Sequence, residues 1–129
     1  MRSIFINSER RIEFIDITNK IQKVIDDSAV KDGIIFLYVP HTTAGLTINE
    51  NYDKTVKQDI IGKLNDLVPE NENYLHGEGN SDSHIKSSLI GNEMFLFFED
   101  KKLVLGRWQG IFFCEFDGPR KREIYFIIK

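Results

Sequence analysis

A chain of 129 residues with 17 basic and 20 acidic side chains carries a formal charge of −3, enough length for one domain with a true core. That charge argues against DNA binding driven by overall electrostatics, and the apolar runs are too short to cross a bilayer. Met1–Asn7 is too short an apolar start for a signal peptide, and the single cysteine, Cys114, rules out an internal disulfide, so the expectation is a cytoplasmic protein that binds neither nucleic acid nor membrane.

Ile4, Phe5 and Ile6, then Ile12, Phe14 and Ile15, flank the polar run Asn7-Ser8-Glu9-Arg10, which reads as a hairpin. Thr18 suits an N-cap, and Ile17, Ile21, Val24 and Ile25 share one helical face. After Lys31-Asp32-Gly33, the run Ile34–Val39 is apolar on both faces, the pattern of a central strand. It leads into Pro40-His41-Thr42-Thr43-Ala44-Gly45, after which Leu46 and Ile48 alternate with Thr47 and Asn49 in a second short strand. Asn51 or Asp53 can cap a helix whose stripe is Val56, Ile60, Leu64 and Leu67, stopped by Pro69.

The segment Glu70–Ser83 is polar, holds Gly77 and Gly79, and is long for a structureless loop in a compact domain. Ser81 or Asp82 can cap a third, short helix through Ser88, closed by Gly91 and Asn92, with His84 in its first turn. Strands are expected at Met94–Phe98, Leu103–Leu105, Trp108–Phe116 and Glu123–Ile128, with turns at Glu99–Lys102 and Asp117–Arg120. The whole chain, residues 1–129, is thus expected to form a single α+β domain, a largely antiparallel sheet or sandwich with two main helices and one short one.

His41, His76 and His84 are the only histidines, and each stands beside the end of an expected element. Three imidazoles can form the first shell of a catalytic zinc, with the fourth position open; three satisfied surface histidines are the plainer alternative. Glu50 could serve as a general base or could simply be a solvated or capping carboxylate. Thr42, Thr43 and Asn49, in the same stretch as His41, are candidate substrate-binding groups, with Lys86 and Arg107 as isolated cations. Arg120, in the basic run Arg120-Lys121-Arg122, suits phosphate by its planar fork near the histidines, or else it is a solvated hairpin end or pairs with Glu115 or Asp117 to fix the hairpin. Core packing is the cheapest account of Trp108, and burial that of Cys114.

Several blocks in order resemble the YjbQ-like family, whose members are often named secondary thiamine-phosphate synthases. They are Pro40–Glu50, Tyr74-Leu75-His76 with its Gly-rich sequel, His84-Ile85-Lys86-Ser87-Ser88-Leu89-Ile90-Gly91, Leu105–Ile111 and Glu115–Arg120. The resemblance implies a compact α+β fold assembled as a homotrimer. It implies a metal-binding or active-site cluster of His41, His76 and His84; joined to the reading of the residues above, zinc is the expected divalent metal and His84 and Glu50 are the expected catalytic pair. It further implies a phosphorylated substrate, in a reaction that joins a pyrimidine pyrophosphate to a thiazole phosphate with loss of pyrophosphate. One departure is Arg107, which follows Gly106 where the family usually has threonine.

Overall fold

The computed structural model describes residues 1–129. Eight strands form two antiparallel sheets, with three helices. The strands are β1 (Arg2–Asn7), β2 (Glu13–Asp16), β3 (Gly33–Tyr38), β4 (Ala44–Glu50), β5 (Glu93–Glu99), β6 (Lys102–Leu103), β7 (Gln109–Glu115) and β8 (Lys121–Ile128); the helices are α1 (Thr18–Asp26), α2 (Lys54–Leu67) and α3 (Ser81–Ile90). The larger sheet runs β1-β8-β3-β5-β6, the smaller β2-β7-β4. The expected single α+β domain and its antiparallel sheets are what the chain forms.

The alternation of β3 explains how the sheets face each other. Ile35 and Leu37 point inward and are fully buried beside Leu96, Phe98, Ile124 and Phe126. Leu46, Ile111 and Phe113 meet them from the smaller sheet, and Ile21 and Ile25 of α1 join the same core. Phe14, Phe112, Cys114 and Phe116 form a second core on the outer side of the smaller sheet, where Ile60, Ile61 and Leu64 of α2 and Ile90 of α3 cover them. Asp53 caps α2 by accepting the Thr55 N–H at 2.9 Å.

The outer face of the larger sheet has no such cover. Phe36 and Tyr38 of β3, Phe95 and Phe97 of β5 and Ile127 of β8 are all about half exposed. They lie side by side by register, Phe36 opposite both Phe95 and Ile127, and Tyr38 opposite Tyr125. The run Ile34–Val39, expected to be covered on both faces, is therefore covered on one.

The first two strands are not a hairpin. β1 pairs with β8 in the larger sheet and β2 with β7 in the smaller, so the polar run between them carries the chain from one sheet to the other. The chain crosses between sheets again at Asp117–Arg120, which contains a cis Gly118–Pro119 bond. The shortest helix is α1, with 9 residues against 10 in α3. No helix is long and apolar enough to cross a membrane.

Candidate functional site

The stretch after β3 is laced to the far end of α3. Val39 donates its N–H to the Asn92 carbonyl at 2.8 Å, Leu46 donates to the Gly91 carbonyl at 3.0 Å, and the Ser87 hydroxyl donates to the Ala44 carbonyl at 2.8 Å. The backbones approach so closely that a Cβ on Gly45 would collide with the Gly91 carbonyl oxygen. Gly91 itself turns the chain with φ +94°. His41 and Thr42 are thereby held opposite α3. The open cleft between them, about 510 Å³, is lined by His41, Thr42, His84, Ser87, Ser88, Gly91 and Asn92, none of them apolar or acidic.

His84 also faces a second hollow of about 470 Å³, shared with Tyr74, Leu75, His76, Ser81 and Ile85. There the His76 and His84 rings stand edge to face with centroids 5.4 Å apart, and His76 Nε2 lies 3.6 Å from Glu78 Oε2. His41 is engaged differently. Its Nε2 accepts the backbone N–H of Glu123 at 3.0 Å, and burial, with Arg122 nearby, pushes its pKa below the usual histidine value. No three histidine, cysteine, aspartate or glutamate side chains of this chain are grouped as a metal site. The expected three-histidine zinc shell thus does not fit a single chain: His76 and His84 come together, while His41 stands across the polar cleft with its Nε2 occupied.

Beneath the site lie two buried ionic networks. Asp82, fully buried, accepts from Lys86 Nζ at 2.8 Å and from both terminal nitrogens of Arg11 at 2.8 and 3.2 Å. Burial pushes the Asp82 pKa up, but the hydrogen bonds from Arg11 and Lys86 outweigh it and hold the carboxyl below its ordinary value. Glu115, also fully buried, accepts from Arg122 and from the Ser8 hydroxyl at 2.6 Å; burial again acts upward and is outweighed by these bonds. Arg122 reaches on to the Thr43 hydroxyl at 2.8 Å.

These networks relocate several expected site residues. Lys86 is 1% exposed and tied to Asp82, and Thr43 is buried under Arg122, so both support the site from below. Glu50 and Asn49 lie at the other end of β4 from His41, about 20 Å along the strand. There Glu50 accepts the Asp53 N–H at 3.2 Å and Asn49 the Glu50 N–H at 2.8 Å, both local turn contacts. Trp108 is 46% exposed at that same end, against Tyr52 and under the Arg107 guanidinium, so core packing does not account for it. Cys114 is buried as expected.

Arg120 is engaged within its own turn. Its Nε donates to the Asp117 carbonyl at 2.8 Å and its Nη2 to the Asp117 carboxylate at 2.9 Å, the contacts of a residue that fixes its turn. Arg120→Lys is expected to leave phosphate affinity unchanged and to lower stability by less than about 1 kcal/mol, since the pair is exposed. Parallel phosphate titration and thermal melting check both halves. Sequence reasoning missed Arg11, Ser87, Asn92 and the part played by Arg122. Only the i, i+4 spacing of Asp82 and Lys86 signals a pair in the sequence.

An α+β sandwich with a polar, histidine-lined cleft beside its longest loop is the class this geometry defines. The chain belongs to the YjbQ-like UPF0047 family, whose model matches residues 2–129. It is 58% identical over 120 residues to a UPF0047 protein of Methanocaldococcus jannaschii, covering 93% of this chain and 87% of that one. It is 43% identical to YugU of Bacillus subtilis, covering 97% and 96%. A solved YjbQ/UPF0047 family protein from Clostridium acetobutylicum superposes with a TM-score of 0.96 at 46% identity, covering 100% of both chains.

Proposed function

We propose that the protein is a small enzyme acting on a phosphorylated metabolite, in a thiamine-phosphate-synthase-like transfer that joins a pyrimidine pyrophosphate to a thiazole phosphate. The observation that carries this reading is the cleft between His41 and α3, whose lining offers imidazoles, hydroxyls and an amide but no carboxylate. Such a surface suits a phosphate group, whose oxygens accept from several donors at once. The adjoining hollow adds Tyr74, Leu75 and Ile85, apolar enough to hold a heteroaromatic ring. His84, which borders both, is proposed to give a proton to departing pyrophosphate.

A divalent metal, zinc first, is proposed only at the His76–His84 pair, with its other ligands from outside this chain, and as an alternative to the proton-donor role of His84, because a ring nitrogen bound to a metal leaves no imidazolium to give up a proton. The protein is proposed to work as a homotrimer in the cytoplasm, and the bare aromatic face of the larger sheet supports self-assembly.

His84→Ala is expected to lower the rate of thiamine phosphate formation by about 100-fold or more, with the melting temperature nearly unchanged. Purified protein given both phosphorylated substrates provides the assay. A variant as active as the parent would end the catalytic role. The position of Glu50, far from the histidines, favours a second reading, a metabolite-binding trimer without turnover. That reading predicts bound phosphate and no product.

A further inference from the structure

We infer that His41 is a hydrogen-bond donor to an oxyanion in the cleft, through Nδ1–H, and not the third ligand of a metal. The inference rests on the phosphorylated-ligand reading of this cleft and assigns one residue its part in it.

Glu123 stands on β8, opposite Phe5 of β1, so its N–H is held by the ladder and cannot turn away. That N–H points at His41 Nε2 from 3.0 Å. A neutral imidazole has one lone pair and one N–H. With the lone pair on Nε2 taken, the proton is on Nδ1. A doubly protonated ring would set N–H against N–H at this contact. The charged groups around the ring are Arg122, which disfavours the cation together with burial, and Glu115 and Glu123, which favour it; the first two effects prevail. A metal needs a lone pair on one ring nitrogen, and here neither nitrogen offers one.

The rest of the lining agrees with a donor role. Ser87 and Ser88 send their hydroxyl protons to the carbonyls of Ala44 and His84. The donors left to face a ligand are therefore His41, His84, the Thr42 hydroxyl and the Asn92 amide. With no carboxylate among the lining residues, the chemistry that such donors match is an oxyanion, a phosphoryl group above all.

Nitrogen NMR of the histidine rings in the unaltered protein reads the tautomer directly, and a proton on His41 Nε2 would overturn the inference. Two variants extend the test. The amide nitrogen of His41→Asn stands near the place of Nδ1, whereas His41→Gln places its amide near Nε2. In orthophosphate titrations, His41→Asn is expected to bind within a few-fold of the parent and His41→Gln about tenfold or more weaker. Zinc titration of His41→Asn is expected to match the parent. A large loss of zinc affinity in that variant, or equal phosphate affinity in both variants and the parent, would also overturn the assignment. Orthophosphate failing to bind the parent, with the Nδ1–H tautomer in place, would end the oxyanion role and the proposed function together while leaving His41 excluded from a metal shell.

Discussion

Asp82→Ala is expected to be the most damaging single substitution in the chain, costing about 3–5 kcal/mol. Lys86 would be left as a cation with almost no access to water, and Arg11 would lose both of its bonds to the same carboxylate. Domains of this size have total stabilities of only about 5–15 kcal/mol, so the melting temperature should fall by roughly 10 °C or more. The double variant Asp82→Leu, Lys86→Met should recover much of the loss, because it removes the cation along with its partner. Urea unfolding of the three proteins measures this, and a loss under about 1 kcal/mol for Asp82→Ala would show that water reaches Lys86 after all. The same network sets the acid limit. Asp82 and Glu115 bind protons less readily in the folded chain than in the unfolded one, so their contribution is present above the ordinary carboxylate range and is lost as pH falls through their lowered values. Acid unfolding should therefore begin below that range, and at higher pH in Ser8→Ala, which strips one bond from Glu115.

Placing a charge on the bare face of the larger sheet is expected to change the mass of the particle. Phe36 contacts Phe95, Phe95 contacts Phe97, and Tyr38 stacks on Tyr125, a continuous aromatic surface that no helix of the chain shields. If the proposed trimer uses this face, the parent should scatter light as three copies of the 15.0 kDa chain, and Phe36→Glu as one. A desolvated glutamate against a neighbouring apolar surface costs several kcal/mol at each contact, enough to dissociate a small interface. A Phe36→Glu protein with the parent's mass would place the interface elsewhere. A monomeric parent would remove the trimer from the proposal.

Much of the architecture was written in local pattern. The stripe Val56, Ile60, Leu64 gave α2, Asp53 gave its cap, and the polar stretch after Val39 marked the cleft. Two kinds of feature were not local. Register between distant strands is one: Ile4–Ile6 and Ile12–Ile15 look like hairpin partners because each run is apolar, yet each is claimed by a strand more than 90 residues later that completes a different sheet. The other is the long-range ion pair. Arg11 and Asp82 are 71 positions apart, so nothing near Arg11 announces its partner. Arg120 and Arg122 show the same limit at close range. They are two positions apart, but Arg122 falls on the buried face of β8 while Arg120 remains in the turn with Asp117.

The place of β8 has a consequence during synthesis on the ribosome. It lies between β1 and β3, so strands made first and early must wait for one made last before the larger sheet can close. Until residues 121–128 leave the exit tunnel, β1 has no pairing partner and β3 has an unpaired edge beside its aromatic face. A nascent chain paused before that point would expose sticky edges of the kind that recruit chaperones. Stalled chains ending before residue 121 should be degraded readily by protease, and chains extended past residue 128 and clear of the tunnel should resist it.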